Sequence, residues 1–216
     1  MHITVQNLIN IENKIKSKSE VYKTIKVIAV SKTFAIDKIK PLIDHGHTDF
    51  GENKVQEAVD KWTETKISNS KIKLHLIGKL QTNKVKFAVK LFDFIHSVDN
   101  EKLAKKISEE QTKQNKQVKI FIQVNIGDEP QKSGISKNEL QNFYLYCQNL
   151  NLDIAGLMCI PPAEKNSNIY FSEMNLLNKK LNLSELSMGM SADYLEAINN
   201  QATYVRIGSD IFGKRD

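Results

Sequence analysis

The sequence predicts an α/β chain folded as a single (β/α)8 TIM-type barrel over residues 1–216, with an extra N-terminal helix. Three observations predict it. Short apolar runs rich in β-branched residues alternate with segments of helical period, eight times over. No linker or low-complexity stretch interrupts the alternation. The main rival, a doubly wound open sheet, is disfavoured because no GxGxxG follows the first strand.

Taken in order, the first 18 or so residues read as a helix with Leu8, Ile11 and Ile15 on one face. IKVIAVS (25–31) is a near-continuous apolar run, as expected of a strand buried on both faces. A helix follows over Asp37–His45, with Pro41 tolerated by lying close to its first turn. DFGEN is a short second strand. The next helix sets Val55, Ala58, Val59 and Trp62 on one stripe. KLHLIG is the third strand; GKLQTNKVKFAVK after it reads as an amphipathic helix with Val85, Ala88 and Val89 inward. FDFIHSV is the fourth strand, followed by a helix carrying Leu103 and Ile107. VKIFIQVN precedes a helix with Leu140, Phe143, Tyr144 and Cys147 aligned. LDIAGLMCI stops at Pro161-Pro162 and leads to a helix with Tyr170, Met174, Leu177 and Leu181. ELSMGM is the seventh strand, with a short helix started by Ser191-Ala192-Asp193. TYVRIG is the eighth.

Composition supports a packed core: 40% of residues are hydrophobic and 26% charged. No run of 18 apolar residues occurs, so no membrane span is expected. The N-terminus is too polar for a signal-peptide core, which makes the cytoplasm the expected compartment. Cys147 and Cys159 show neither CxxC spacing nor a disulfide framework. The net charge of +6 is carried by scattered lysines, without a run of four basic residues. A solvated surface therefore accounts for it better than a nucleic-acid partner.

Barrels place their sites at the carboxyl ends of strands. Here those ends carry Lys32, Asn53, Gly78, Ser97, Asn125, Cys159, Ser187 and Arg206. Lys32 closes the apolar run VIAVS. It is either a desolvated amine able to condense with an aldehyde or a lysine snorkelling to the rim. Two further segments, SMGMS (187–191) and RIGS (206–209), combine glycines with the hydroxyls of Ser187, Ser191 and Ser209, a chemistry suited to phosphate. Either segment is also a plain turn, and Ser191 a plain helix cap. Phosphate sites after strands 7 and 8 are a habit of this fold. His75 lies inside a strand, touching a ligand or serving as a hydrogen-bonded core histidine. His45 and His47 have no accompanying set of metal ligands, so no metal is expected.

The segments VIAVSKT, DFGENKVQE, HLIGKLQTNK, HSVDN, QVNIGDEPQKSGI, GLMCIPP, LSMGMSAD and VRIGSDIFG, over about residues 27–213, resemble the pyridoxal 5′-phosphate (PLP) homeostasis protein family. The resemblance implies a barrel like the N-terminal domain of alanine racemase, with PLP held as a Schiff base on Lys32. It further implies Arg206 facing the pyridine nitrogen, Ser187, Gly208 and Ser209 at the phosphate, and Asn53 near the ring. His75 is counted with this cofactor-binding set. Ser209 stands where the family more often has threonine, and keeps the hydroxyl.

An arginine at the pyridine nitrogen weakens the cofactor's electron sink without abolishing it. The chain ends at Asp216, without length for the additional domain that completes a racemase. The resemblance therefore implies a non-catalytic, monomeric PLP-binding protein acting in vitamin B6 homeostasis, with PLP-dependent apo-enzymes as recipients and no nucleic-acid or membrane partner. A low-activity amino-acid racemase is the alternative. Lys132, in QKSGI, is expected on the same rim, near the cofactor entrance or as a solvated loop lysine.

Overall fold

The computed structural model describes residues 1–20, 22–163 and 166–213. Eight strands form a closed barrel in sequence order: β1 (Lys26–Val30), β2 (Asp49–Glu52), β3 (Lys73–Leu76), β4 (Phe94–Val98), β5 (Lys119–Gln123), β6 (Asp153–Met158), β7 (Glu185–Met190) and β8 (Tyr204–Ile207). Every neighbouring pair is parallel, and β8 returns to β1 with Ile28 opposite Arg206. Closure leaves no unpaired strand edge. The helices around it are α1 (Ile3–Lys18), α2 (Ile36–Asp44), α3 (Val55–Ser68), α4 (Val85–Leu91), α5 (Glu101–Gln114), α6 (Leu140–Asn149), α7 (Ser167–Lys180), α8 (Tyr194–Asn199) and α9 (Ser209–Phe212).

The strand period of two separates two apolar regions. Outward residues such as Val27, Ala29, Phe50, Leu74, Leu76, Ile95, Ile120, Ile122, Leu157 and Val205 merge with the helix stripes into one large core. Ile28, Phe121, Met158 and Tyr204 form a second, separate cluster inside the barrel. Each large apolar side chain fully buried in either region contributes about 1.5–3 kcal/mol. Helix α1 starts at His2, whose ring caps the Thr4 N–H at 3.3 Å. Its stripe of Val5, Leu8, Ile11 and Ile15 is buried in the large core. Asn7 reaches Ile211 O at 3.0 Å and so ties α1 to α9.

Three details differ from the sequence expectation. Pro41 stands in the second turn of α2, not near its start, so the helix goes without one interior hydrogen bond and stops at Asp44. The segment from Gly78 to Gln81 is irregular; a 3-10 turn (Thr82–Lys84) and then α4 follow, because buried Leu80 lies out of phase with the stripe of Val85, Ala88 and Val89. The last strand is followed by α9, too short for periodicity to reveal. Among the described residues no helix is long and apolar enough to cross a membrane.

Closure also imposes close backbone approaches. A Cβ at Gly156 would lie 1.8 Å from the carbonyl oxygen of Glu185 on the neighbouring strand. Gly156→Ala is therefore expected to separate β6 from β7 and cost more than about 4 kcal/mol. A urea midpoint close to that of the unsubstituted protein would contradict this packing.

Candidate functional site

The carboxyl ends of β1, β2, β7 and β8 surround an open cavity of about 650 Å³. Lys32, Asn53, Arg206, Gly208 and Ser209 all line it, joined by Ser191, Ile77 and Ile160. Three residues expected at one rim from their strand-end positions, Lys32, Asn53 and Arg206, thus meet around one space with Gly208 and Ser209 of the RIGS segment. Ser191 reaches it through the turn after β7. Near the end of β7, Gly189 adopts φ +90°, and a Cβ would come within 2.6 Å of Ala197 Cβ in α8. Asp193 closes the same turn: its Oδ1 accepts from Met190 N at 2.6 Å, and its own N–H donates to Met190 O at 3.0 Å. Gly208 and Ser209, at the start of α9, line the cavity, and the first N–H groups of that helix have no intrahelical acceptor.

The loop that carries Lys32 is held from outside the barrel. Thr33 has φ +70°, unusual and strained for a β-branched residue. Its N–H donates to Glu57 Oε1 at 2.6 Å. Lys61, on the same helix α3, spends its three donors on Ser31 O (2.9 Å), Glu52 Oε1 (3.0 Å) and Glu57 Oε1 (3.1 Å). Glu52 is wholly buried and its Oε1 also accepts from Ser31 Oγ at 2.7 Å and Trp62 Nε1 at 2.9 Å. Burial works to raise the Glu57 carboxyl, but the Thr33 N–H and Lys61 outweigh it and hold the group below its ordinary value. The network sits under Ser31 and Thr33 and so fixes both neighbours of Lys32.

Arg206 forms part of the cavity floor and is almost fully buried. One terminal nitrogen donates to Ser187 Oγ at 2.8 Å and the other to Cys159 O at 2.8 Å. Below it the barrel interior is polar. Ser187 Oγ lies 2.8 Å from His96 Nδ1, His96 Nε2 lies 3.0 Å from His75 Nδ1, and His75 Nε2 lies 3.1 Å from Asp49 Oδ1. His96 stacks on Phe121 at 4.3 Å and His75 on Phe94 at 4.4 Å. Burial lowers the affinity of both imidazoles for a proton; His75 and Arg206 add to the effect at His96. Burial tends to raise the Asp49 carboxyl, yet the hydrogen bonds from His75 and Thr48 leave it below its ordinary value.

Two of the expected cofactor-binding residues are therefore not at the cavity. Ser187 is fully buried and its hydroxyl is engaged by Arg206 and His96, so Ser191, four residues on, stands at the rim in its place. His75 points into the barrel as a hydrogen-bonded core histidine. Lys132 lines an adjoining cavity of about 340 Å³ that shares Asn53, Ile77 and Ile160 with the first. It is ion-paired with Glu129 at 2.6 Å. Sequence reasoning passed over Glu52, Glu57, Lys61 and His96. The first two stand in DFGENKVQE, where a carboxylate closing an apolar strand was the available signal.

Residues 5–216 match the family model of the alanine racemase N-terminal domain. The chain is 36% identical to the pyridoxal phosphate homeostasis protein of Pasteurella multocida, over 96% of this chain and 94% of the relative. The protein of that name from Aquifex aeolicus is 37% identical over 88% of this chain and 87% of its own. The solved structure of PipY from Synechococcus elongatus with PLP bound superposes with a TM-score of 0.87 at 31% identity, covering 98% of this chain and 100% of that one. Alanine racemase of Clostridium difficile shares the fold, with a TM-score of 0.75 at 16% identity over 57% of its length.

The two networks make separate predictions. Lys61→Met leaves Glu52 buried without its cation and should cost about 3–5 kcal/mol in urea unfolding; the double variant with Glu52→Gln should regain part of that. For pH, the unfolded chain protonates its histidines near 6.5, whereas folded His75 and His96 resist protonation. The unfolded state then binds more protons, so stability falls as pH drops below that value, by up to about 1.4 kcal/mol per histidine per pH unit. Asp49, depressed in the fold, withdraws its own contribution only at lower pH still. A urea midpoint no lower at about pH 5.5 than at about pH 7.5 would refute this.

Proposed function

Because the chain belongs to the alanine racemase N-terminal domain family and aligns over nearly its full length with PLP homeostasis proteins, we propose that it binds PLP covalently through Lys32 and acts in cytoplasmic PLP homeostasis without strong catalysis of its own. The observation that carries this is the donor set around one cavity: an amine at one wall, a buried donor-only cation in the floor, and hydroxyl and backbone N–H donors opposite. That set fits a phosphate-bearing aromatic aldehyde. Ser191, Ser209 and the first-turn N–H groups of α9 would take the phosphate, with Gly208 admitting it close to the backbone. Asn53 would lie beside the ring. Arg206 would donate to the pyridine nitrogen.

Bound PLP supplies an electron sink whose strength rises when its ring nitrogen is protonated. Arg206 works against that protonation. A guanidinium has only donors and does not give up its proton at physiological pH, so it meets a nitrogen lone pair and leaves it unprotonated. Ile77 and Ile160 shield the site on one side. Transfer of PLP to apo-enzymes from a monomeric carrier is part of this proposal, motivated by the openness of the cavity to the rim.

The test is borohydride fixation of PLP-loaded protein followed by peptide mass mapping. The cofactor mass should appear on the Lys32 peptide and vanish in Lys32→Ala. Its appearance on another lysine, or no uptake at all, would sink the assignment. Racemisation of any member of a panel of D- and L-amino acids at ordinary enzymic rates would favour the catalytic alternative instead. An apo-enzyme that gains no more activity from loaded protein than from the PLP it releases would remove the transfer step.

A further inference from the structure

Arg206 is a cation in an awkward place. It is about 5% exposed, and its two terminal nitrogens are bound to a hydroxyl and a backbone carbonyl, neither of which carries charge. Among the described residues no carboxylate lies within ion-pair distance of it; Asp193 acts on it only through space. A buried guanidinium without a carboxylate paired to it is costly. The barrel interior supplies one at a distance.

The path is the file of groups already described, from Arg206 through Ser187, His96 and His75 to Asp49. Its protons can be assigned from the ends. Arginine only donates, so Ser187 Oγ must accept from it. Ser187 Oγ keeps a second lone pair, so the rest follows from the anionic end: the Asp49 carboxylate only accepts, and a neutral His75 donates to it from Nε2 and presents Nδ1 as an acceptor. His96 donates to that Nδ1 from its own Nε2, and its Nδ1 accepts the Ser187 proton. A donor-only cation stands at one end and an acceptor-only anion at the other. Each neutral imidazole between them has one donor and one acceptor to give, and the Ser187 hydroxyl one donor and two acceptor lone pairs. With both imidazoles neutral only one arrangement makes all four bonds; flipping His75 breaks two of them, and flipping His96 breaks its bond to His75. In a low-dielectric interior, bonds aligned in one direction polarise one another.

The anionic end is the wetter one. The Asp49 side chain is 16% exposed and borders an open cleft at the amino ends of β1 and β2, on the barrel face opposite the cavity. Thr48 Oγ1 donates to its other oxygen at 2.6 Å. The carboxylate therefore keeps its charge cheaply, while the two histidines and Ser187 are fully buried. Phe94 and Phe121, stacked on the two rings, hold them in the planes that this alignment requires.

We propose that Asp49 is the remote counter-ion of Arg206, and that His75, His96 and Ser187 are positioning residues that transmit its charge through the barrel and fix the guanidinium at the ring-nitrogen end of the cofactor cavity. The proposal deepens the PLP reading and rests on it only for the identity of what Arg206 meets. In functional terms, the arrangement stabilises Arg206 without a carboxylate beside it. An adjacent carboxylate would compete for the donors that Arg206 turns toward the cavity.

The decisive experiment has an arm without cofactor and an arm with it. In cofactor-free protein with ¹⁵N-labelled histidine, imidazole nitrogen shifts at neutral pH should report both His75 and His96 as neutral Nε2–H tautomers. An imidazolium or an Nδ1–H tautomer at either position overturns the proposal. Unfolding free energies of Asp49→Asn, Ser187→Ala and the double variant should be non-additive, and the coupling should disappear in a His96→Phe background. Additive effects would reduce the four residues to independent packing and overturn it as well. Should a variant fail to fold, the wild-type tautomers still decide. In the loaded arm, Asp49→Asn should weaken PLP affinity roughly tenfold, the worth of a hydrogen bond to a charged partner, while Lys32 is still modified; unchanged affinity overturns the positioning role. If wild-type protein took up no PLP, the proposed function would fall, and the relay would stand or fall on the cofactor-free arm.

Discussion

A closed parallel barrel leaves almost no room for water among the side chains that fill it, and this one constraint governs the rest of the molecule. Eight strands paired on both sides satisfy their own backbone. Any polar side chain turned inward must then find a partner among other inward side chains. Ile28, Phe121, Met158 and Tyr204 meet the constraint by being apolar or nearly so. Asp49, His75, His96, Ser187 and Arg206 meet it by binding one another in file. The interior is thus divided between an apolar cluster and a single polar thread, and the thread ends at the floor of the cavity.

The same logic operates on the outside of the barrel. Glu52 leaves β2 toward α3 and is as deeply buried as any core leucine. It is tolerated because Lys61, Trp62 and Ser31 all converge on one of its oxygens. The convergence has a consequence at the cavity. Ser31 and Thr33 flank Lys32, and both are tied to α3, so the amine-bearing loop is held by a charged network whose residues do not line the cavity. The cavity is therefore supported from two directions: Arg206 from within the barrel and Lys32 from without.

Some of this was legible in advance. Strand positions were readable because a parallel strand buried on both faces is a near-continuous apolar run, as in VIAVS and IFIQV. Because strand ends share one rim in this topology, naming the ends of β1, β2 and β8 was enough to bring Lys32, Asn53 and Arg206 together. Helix α9 was missed because four residues carry no period. Ser187 was misplaced for a different reason. It lies within β7, three residues before the strand ends at Met190, and its short side chain turns into the barrel, where Arg206 and His96 take up the hydroxyl.

By itself, then, the sequence determined the alternation of strand and helix, the closure that the alternation requires, and the chemistry available at the rim. These depend on local pattern, which is written along the chain. Only the tertiary structure decided which polar residues answer one another. His75 and His96 are separated by 21 positions, and His96 and Ser187 by 91. Nothing in the spacing of such residues says that they meet, because their contact is set by strand register and stagger around a closed barrel. For the same reason a serine that looked like a phosphate ligand is a link between an arginine and a histidine, and the lysine at the end of the first strand owes its placement to a glutamate on the second and a lysine on the helix after it.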